Sequence, residues 1–292
     1  MAAGLGSRYG GVKQIERLGP DDEILMEYAI YDALAAGFNK LVLIIKPEIF
    51  DDVKELFGDK IEKSTGIKIA YAFQTPDRFT GSRPELASRI KPLGTVHCVI
   101  CAKDILDCPF AIMNADDYYG REAFVLMAAE LETFSGAQDA AMVAYRIKNT
   151  VSPFGTVTRG VCKIENGFLT GVRETYKIGF AADGRIVDAD GTVLAPDTPV
   201  SMNMWGCHPD ILPVMERYFA DFLAELPEGD EKKECLLPTM MGDLTESGRI
   251  KIAAPETGGH WFGLTYREDK PGVVEELTKL HEAGVYPAKL WR

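Results

Sequence analysis

Hydrophobic and polar positions follow two regimes along the chain. Through residue 150, apolar runs alternate with amphipathic stretches. Residues 21–37 carry a helical period that stops at Gly37, and Lys40–Lys46 (KLVLIIK) encloses an apolar run fit for a strand buried on both faces. Residues 48–57 have helical spacing, and Ile67–Gln74 (IKIAYAFQ) is the next strand. Gln74–Leu93 is a polar loop rich in Pro, Arg and Ser, too long to be a mere connector. A helix over 95–105 follows, then the apolar strand Pro109–Ala115 (PFAIMNA), which stops at Asp116-Asp117. A helix over 121–135 and a strand over 139–146 complete a β/α alternation, which predicts a mostly parallel, Rossmann-like sheet flanked by helices.

After Thr150 the apolar positions alternate one by one. Residues 155–165 and 168–175 read as antiparallel strands joined at Asn166-Gly167, a hairpin signal. A Gly- and Asp-rich stretch spans 179–198, and Val200–Cys207 is a further strand. Helices over 209–225 and 230–246, strands near 250–254 and 260–266, and a helix over 270–283 close a mixed α+β half. No flexible linker separates residues 1–150 from residues 151–292, so the two halves are expected to pack as one domain.

The net charge of −12 argues against nucleic-acid binding or adhesion to anionic lipid, although a few local cations still suffice for a small anion. The chain lacks a run of about 18 apolar residues and a signal-type leader, so a cytoplasmic location with no membrane partner is expected. Cys98-Val99-Ile100-Cys101 has CxxC spacing beside His97, but it lies in an apolar helical segment with no second pair. Buried thiols, rather than a zinc or redox site, are the reading.

Two features carry chemistry. Met1–Gln14 (MAAGLGSRYGGVKQ) is a glycine-rich loop in which Gly4, Gly6, Gly10 and Gly11 allow tight bends that expose backbone N–H groups to an anion. Arg8 can fork onto phosphate oxygens and Lys13 adds a point charge. The loop fails the dinucleotide GxGxxG pattern at its third glycine, which disfavours a dehydrogenase, and it fails Walker spacing. An ordinary turn with two solvated cations is the bland alternative. The second feature is Asp116-Asp117 at the end of a buried strand, where ligands of open α/β sheets gather. A carboxylate there suits Mg²⁺ shared with phosphate oxygens; capping of the following helix is the alternative.

Together these segments resemble the sugar-phosphate nucleotidyltransferases. Ala2-Ala3-Gly4-Leu5-Gly6-Ser7-Arg8, followed by Lys13, is similar to the signature loop of that family. Gln74 resembles its base-reading glutamine, and Lys91-Pro92-Leu93-Gly94-Thr95 its second glycine loop. Asp116 takes the position of its metal aspartate. Ser152-Pro153-Phe154-Gly155-Thr156-Val157 resembles the segment whose glycine lies beside the sugar, Glu174 falls where a glutamate accepts sugar hydroxyls, and Asn203 lies near a sugar-contacting asparagine. A second metal acid is sought among Asp243, Glu268 and Asp269; Asp269 is taken, with capping of the last helix as an equal alternative.

The resemblance implies a GT-A-like nucleotidyltransferase fold, with residues 1–150 binding nucleotide and residues 151–292 the acceptor. It implies transfer of a nucleotidyl group from a nucleoside triphosphate to a sugar 1-phosphate, with Mg²⁺. Arg8 and Lys13 would be catalytic, Ala2, Ala3, Gly4, Gly6, Ser7, Gln74, Gly94 and Thr95 would bind nucleotide, Gly155, Glu174 and Asn203 the sugar phosphate, and Asp116 with Asp269 the metal. Transfer to phosphocholine, a polyol phosphate or a phosphonate, and a non-catalytic nucleotide-sugar binder, remain as alternatives. The signature loop normally follows a buried strand. None precedes it here, so this reading expects the first, central strand of the sheet to be missing.

Overall fold

The short apolar runs become strands, led by the β-branched LVLII of residues 41–45, while the amphipathic stretches between them pack as helices. The computed structural model describes residues 1–2, 16–81, 83–264 and 266–291. In chain order the first half holds α1 (Leu25–Ala35), β1 (Leu41–Ile45), α2 (Phe50–Val53), α3 (Asp59–Thr65), β2 (Ile69–Phe73), α4 (Thr95–Ile100), β3 (Phe110–Ile112), β4 (Asp117–Tyr118), α5 (Arg121–Leu131) and β5 (Asp139–Arg146). The second half holds β6 (Val157–Glu165), β7 (Phe168–Phe180), β8 (Ile186–Val187), β9 (Val193–Leu194), β10 (Pro199–Cys207), α6 (Leu212–Glu225), α7 (Leu237–Glu246), β11 (Lys251–Ala253), β12 (Glu256–Thr257), β13 (Phe262–Gly263) and α8 (Asp269–Glu282).

The expected mostly parallel sheet is corrected to a mixed one. β1 and β2 do run parallel, from Leu41 opposite Ile69 to Ile45 opposite Phe73. β10, however, runs antiparallel to β3, β5 and β6 and binds all three. A chain returning from the antiparallel β6–β7 hairpin enters the layer from the opposite end, which reverses its direction against β3 and β5. The hairpin turns at Asn166 (φ 52°) and Gly167 (φ 81°), the positive pair of a type I′ turn. β11 and β12 lie parallel to β5 on its other side.

Met1 and Ala2 bridge the two sheet portions. The Met1 nitrogen donates to Met113 O (2.8 Å) and Met1 O accepts from Ala115 N (3.0 Å), the staggered pair of a parallel ladder. Ala2 N donates to Ile44 O (2.8 Å) on β1. Alongside Met1, between β1 and β3, lies a channel of about 520 Å³, lined by apolar side chains such as Ile30, Ala33, Leu41, Leu43, Phe110 and Ile112.

The long loop after β2 is pinned rather than solvated. Arg83 donates to Leu223 O (2.9 Å) and Leu226 O (3.0 Å), satisfying carbonyls at the end of α6. Arg89 is buried and donates to Lys91 O, Asp230 O and Lys233 O, while Arg78 reaches Cys101 O (2.8 Å). The C-terminal segment is anchored to α1 by buried acids. Asp32 accepts from Tyr286 OH (2.6 Å) and Arg121 Nε (3.2 Å), and Glu27 accepts from Trp291 Nε1 (2.8 Å). Among the described residues no helix is long and apolar enough to cross a membrane.

Candidate functional site

Beyond the end of β3 the chain turns through Asn114 and Ala115 to the paired acids. Asn114 Nδ2 donates to Asp117 Oδ2 (2.9 Å), Asn203 Nδ2 donates to Asn114 Oδ1 (2.9 Å), and Trp205 Nε1 donates to Asn203 Oδ1 (2.9 Å). Asn203 reaches this line because β10 breaks register between Ser201 and Trp205, with Asn203 at φ +62°. A bulge of this kind re-aims a side chain, and asparagine tolerates the left-handed region better than most residues. Trp205 is fully buried, so its indole N–H depends on the Asn203 oxygen. Tyr119 OH donates to Met202 O (3.1 Å) and accepts from Asn114 N (3.1 Å), and burial holds its pKa well above the usual phenol range.

Asp117 faces Gly263 across the β4–β13 pair. A Cβ at Gly263 would stand 2.9 Å from Asp117 Oδ1 and 3.2 Å from the Trp261 ring, so both groups crowd that glycine. Asp269 opens α8, where an acid complements the helix dipole. Its carboxylate accepts from Ser152 Oγ (2.9 Å) and Tyr266 N (2.7 Å). Tyr266 OH donates to Thr156 O (2.6 Å), and its ring lies 2.6 Å from where a Gly155 Cβ would be. The Ser152–Thr156 segment and Asp269 are therefore neighbours. Among the described residues no group of three or more His, Cys, Asp or Glu side chains converges as a metal cage.

A second cluster forms beyond β2. Gln74, 8% exposed, donates through Nε2 to Gly94 O (3.2 Å) and to His97 Nδ1 (3.1 Å), and His97 Nε2 donates to Arg78 O (2.9 Å). This arrangement needs a neutral imidazole, and burial depresses the His97 pKa to about 4. Gly94 has φ +109°, and Thr95 Oγ1 accepts Leu237 N (2.7 Å) at the start of α7. Burial pushes the Cys98 and Cys101 thiols up to about 11 and 12, in keeping with inert buried cysteines.

Of the residues the sequence singled out, the structure brings Gln74 to Gly94, Asn203 to the aspartate pair, and Gly155 to Asp269 by way of Tyr266. Glu174 stands exposed on β7, opposite Gly160 of β6. Ala2 is buried against Ile44, whereas Ala3, Gly4, Gly6, Ser7, Arg8 and Lys13 lie outside the described residues. Sequence reasoning passed over Asn114, Arg159 and Trp261. Arg159 sits on β6 opposite Thr175, with its guanidinium 4.6 Å from the Trp261 ring centroid. The available signal was an arginine inside an alternating strand, and an asparagine two residues before the paired acids.

Two solved structures share this fold. The inositol-1-phosphate CTP transferase of T. maritima is 12% identical, with a TM-score of 0.59 over 96% of this chain and 94% of its own. A protein assigned as a glucose-1-phosphate thymidylyltransferase from Bacillus anthracis, solved with sucrose, is 12% identical, with a TM-score of 0.61 over 94% and 92%. No curated protein sequence matches this chain. The model of the family described as nucleotidyl transferase matches residues 12–174, more than half of the chain. On that match, joined to a fold shared with two nucleotidyltransferases, the chain belongs to the nucleotidyl transferase family and is an enzyme of that type.

Proposed function

We propose that the enzyme transfers a nucleotidyl group from a nucleoside triphosphate to a sugar 1-phosphate, giving an NDP-sugar and pyrophosphate. The observation that carries this reading is the aspartate pair after β3, linked through Asn114 to Asn203. It joins the residue that resembles a metal ligand to the one that resembles a sugar contact. The acceptor phosphate is already an anion near neutral pH, with a second pKa of about 6, and attacks the α-phosphorus without a general base. Positioning and charge stabilisation then carry the catalysis. Arg8 and Lys13 would hold the triphosphate and the departing pyrophosphate, with Ala2, Ala3, Gly4, Gly6 and Ser7 offering backbone N–H groups. Asp116 suits Mg²⁺ as a hard carboxylate at a strand end, with Asp269 as the second acid; Mg²⁺ there would neutralise the charge of the two phosphates.

Gln74 reads the base in this proposal. With its amide nitrogen engaged by Gly94 and His97, its Oε1 is left to accept a hydrogen bond. Uracil and thymine offer an N3–H donor to it, which favours UTP or dTTP. Gly155, Glu174 and Asn203 would face the hydroxyl-rich acceptor, and the two halves would work as one catalytic domain. A second reading keeps the chemistry and changes the acceptor to a polyol phosphate, phosphocholine or a phosphonate; the likeness to an inositol-1-phosphate CTP transferase supports it. Pyrophosphate release, screened over the nucleoside triphosphates against sugar 1-phosphates and these other phosphates, tests both. Binding without release in every combination would refute transfer and favour a nucleotide-sugar binder.

The channel between β1 and β3 belongs to the same proposal. An extended apolar segment would fit between β1 and β3 and continue the parallel ladder that Met1 makes with Met113 and Ala115.

A further inference from the structure

Arg159 and Trp261 form a second polar feature beside the aspartate network. Two hydrogen-bond donors there are buried and have no partner among the described residues: Arg159 Nε and Trp261 Nε1. The rest of the guanidinium is engaged by carbonyls, Nη1 with Thr158 O (2.9 Å) and Nη2 with Thr150 O. Its face covers the Trp261 indole. The turn that carries the ring is held by Asn149, since Trp261 N donates to Asn149 O (3.2 Å) and Asn149 Nδ2 donates to Gly258 O and Gly259 O (3.1 Å each).

The pair borders the candidate site on two sides. β10 matches Val200 to Val161 and Ser201 to Gly160, so its pairing with β6 ends one position short of Arg159, just before the Asn203 bulge. The Trp261 ring and the Asp117 carboxylate both crowd Gly263. Asp117 helps to keep Arg159 charged against the cost of its burial.

A half-buried guanidinium and a half-buried indole, each with one buried N–H left over, call for an anionic acceptor of hydrogen bonds. A phosphate monoester meets both with separate oxygens, and arginine suits such multi-point recognition. β6 belongs to the half that carries Gly155, Glu174 and Asn203. We propose that Arg159 and Trp261 form an anion shelf that binds the phosphate of the acceptor, not the phosphates of the nucleotide. The inference rests on the nucleotidyl-transfer reading only for the identity of the acceptor; the anion site itself stands on the geometry.

The test uses the full chain with Trp261→Phe, which keeps the ring face and removes the N–H, and Arg159→Lys, which keeps charge and removes Nε. Inorganic phosphate and glucose 1-phosphate are titrated without nucleotide by calorimetry, and UTP or dTTP in a separate arm; circular dichroism and thermal melts establish that each variant is folded. The expected result is phosphate and glucose 1-phosphate affinity reduced about tenfold or more in each folded variant, with nucleotide affinity within about twofold of the parent. In turnover assays the acceptor KM rises while the nucleotide KM holds. Unchanged phosphate affinity in folded Trp261→Phe, a loss confined to the nucleotide arm, or no phosphate binding by the parent protein overturns the shelf. Phosphate binding that is lost in both variants, from a parent that turns over no triphosphate, keeps the shelf and refutes the reaction instead.

Discussion

Replacing Asn203 with alanine tests whether the β10 bulge is held in place by its side chain. Three losses coincide at this residue. The Trp205 indole N–H, fully buried, loses its acceptor, which costs about 1–3 kcal/mol. The hydrogen bond to Asn114 is lost, about 0.5–1.5 kcal/mol. Alanine must also hold a left-handed backbone at φ +62°, about 1 kcal/mol more. The expected total is about 4 kcal/mol, a large fraction of the stability of an ordinary domain. Urea unfolding measures it as a shift in midpoint at constant m. Asn203→Gly should recover about 1 kcal/mol of the loss, since glycine accepts the backbone angle. In a Trp205→Phe background no indole is left unpaired, so Asn203→Ala should cost at least about 1 kcal/mol less there. A loss below about 1 kcal/mol, or strict additivity with Trp205→Phe, refutes the reasoning.

Asp116→Asn should abolish metal-dependent pyrophosphate release, and Arg8→Ala should lower turnover by about 10²–10³ with little change in melting temperature, both read in a coupled pyrophosphate assay. His97 is neutral in the fold, with a pKa near 4 against 6.5 when exposed, so the unfolded chain takes up the proton first; stability is full above about pH 6.5 and falls as the pH drops toward 4. Urea midpoints of the parent and of His97→Gln over that range should show a steeper slope in the parent, since the carboxylates that also titrate toward pH 4 are common to both. Gly155→Ala would push a methyl into the Tyr266 ring and should cost about 1–3 kcal/mol in thermal unfolding, with recovery in a Tyr266→Ala background. Fusing about six to eight extended apolar residues ahead of Met1 should raise both melting temperature and turnover by filling the channel beside β1; equal stability of the two forms would rule that strand out.

Local signals were legible where one residue's chemistry decided the outcome. β5 spans Asp139–Arg146, as the apolar run predicts, and Asn166-Gly167 makes the hairpin turn. The direction of β10 was not legible, because Val200–Cys207 reads as an apolar strand whichever way it runs; only its pairing with β3, β5 and β6 sets the sense. What the arginines of the long polar loop bind was not legible either. Arg83 and Arg89 bind main-chain carbonyls from segments about 140 residues away, partners that no local pattern encodes. Arg159 escaped notice for a related reason, since the ring it stacks on, Trp261, comes from a distant turn.

The reversal of β10 also explains how one site draws on both halves of the chain. Its C-terminal part, Trp205–Cys207, pairs with β3, with Trp205 opposite Ile112 and Cys207 opposite Phe110. The bulge just before it therefore stands over the turn that leads to Asp116 and Asp117, and Asn203 can reach Asn114. Its N-terminal part runs past the end of β3 and pairs with β6, one position short of Arg159. A parallel strand in this place would send its later residues beyond the end of β3 and leave its bulge buried within the sheet. Because one strand spans the aspartate turn, the Asn203 bulge and the edge of the Arg159–Trp261 pair, a shift of β10 by one residue would disrupt all three together. Substitutions at the bulge should then change metal-dependent turnover and acceptor affinity in concert, whereas substitutions at Gln74 should change nucleotide affinity alone.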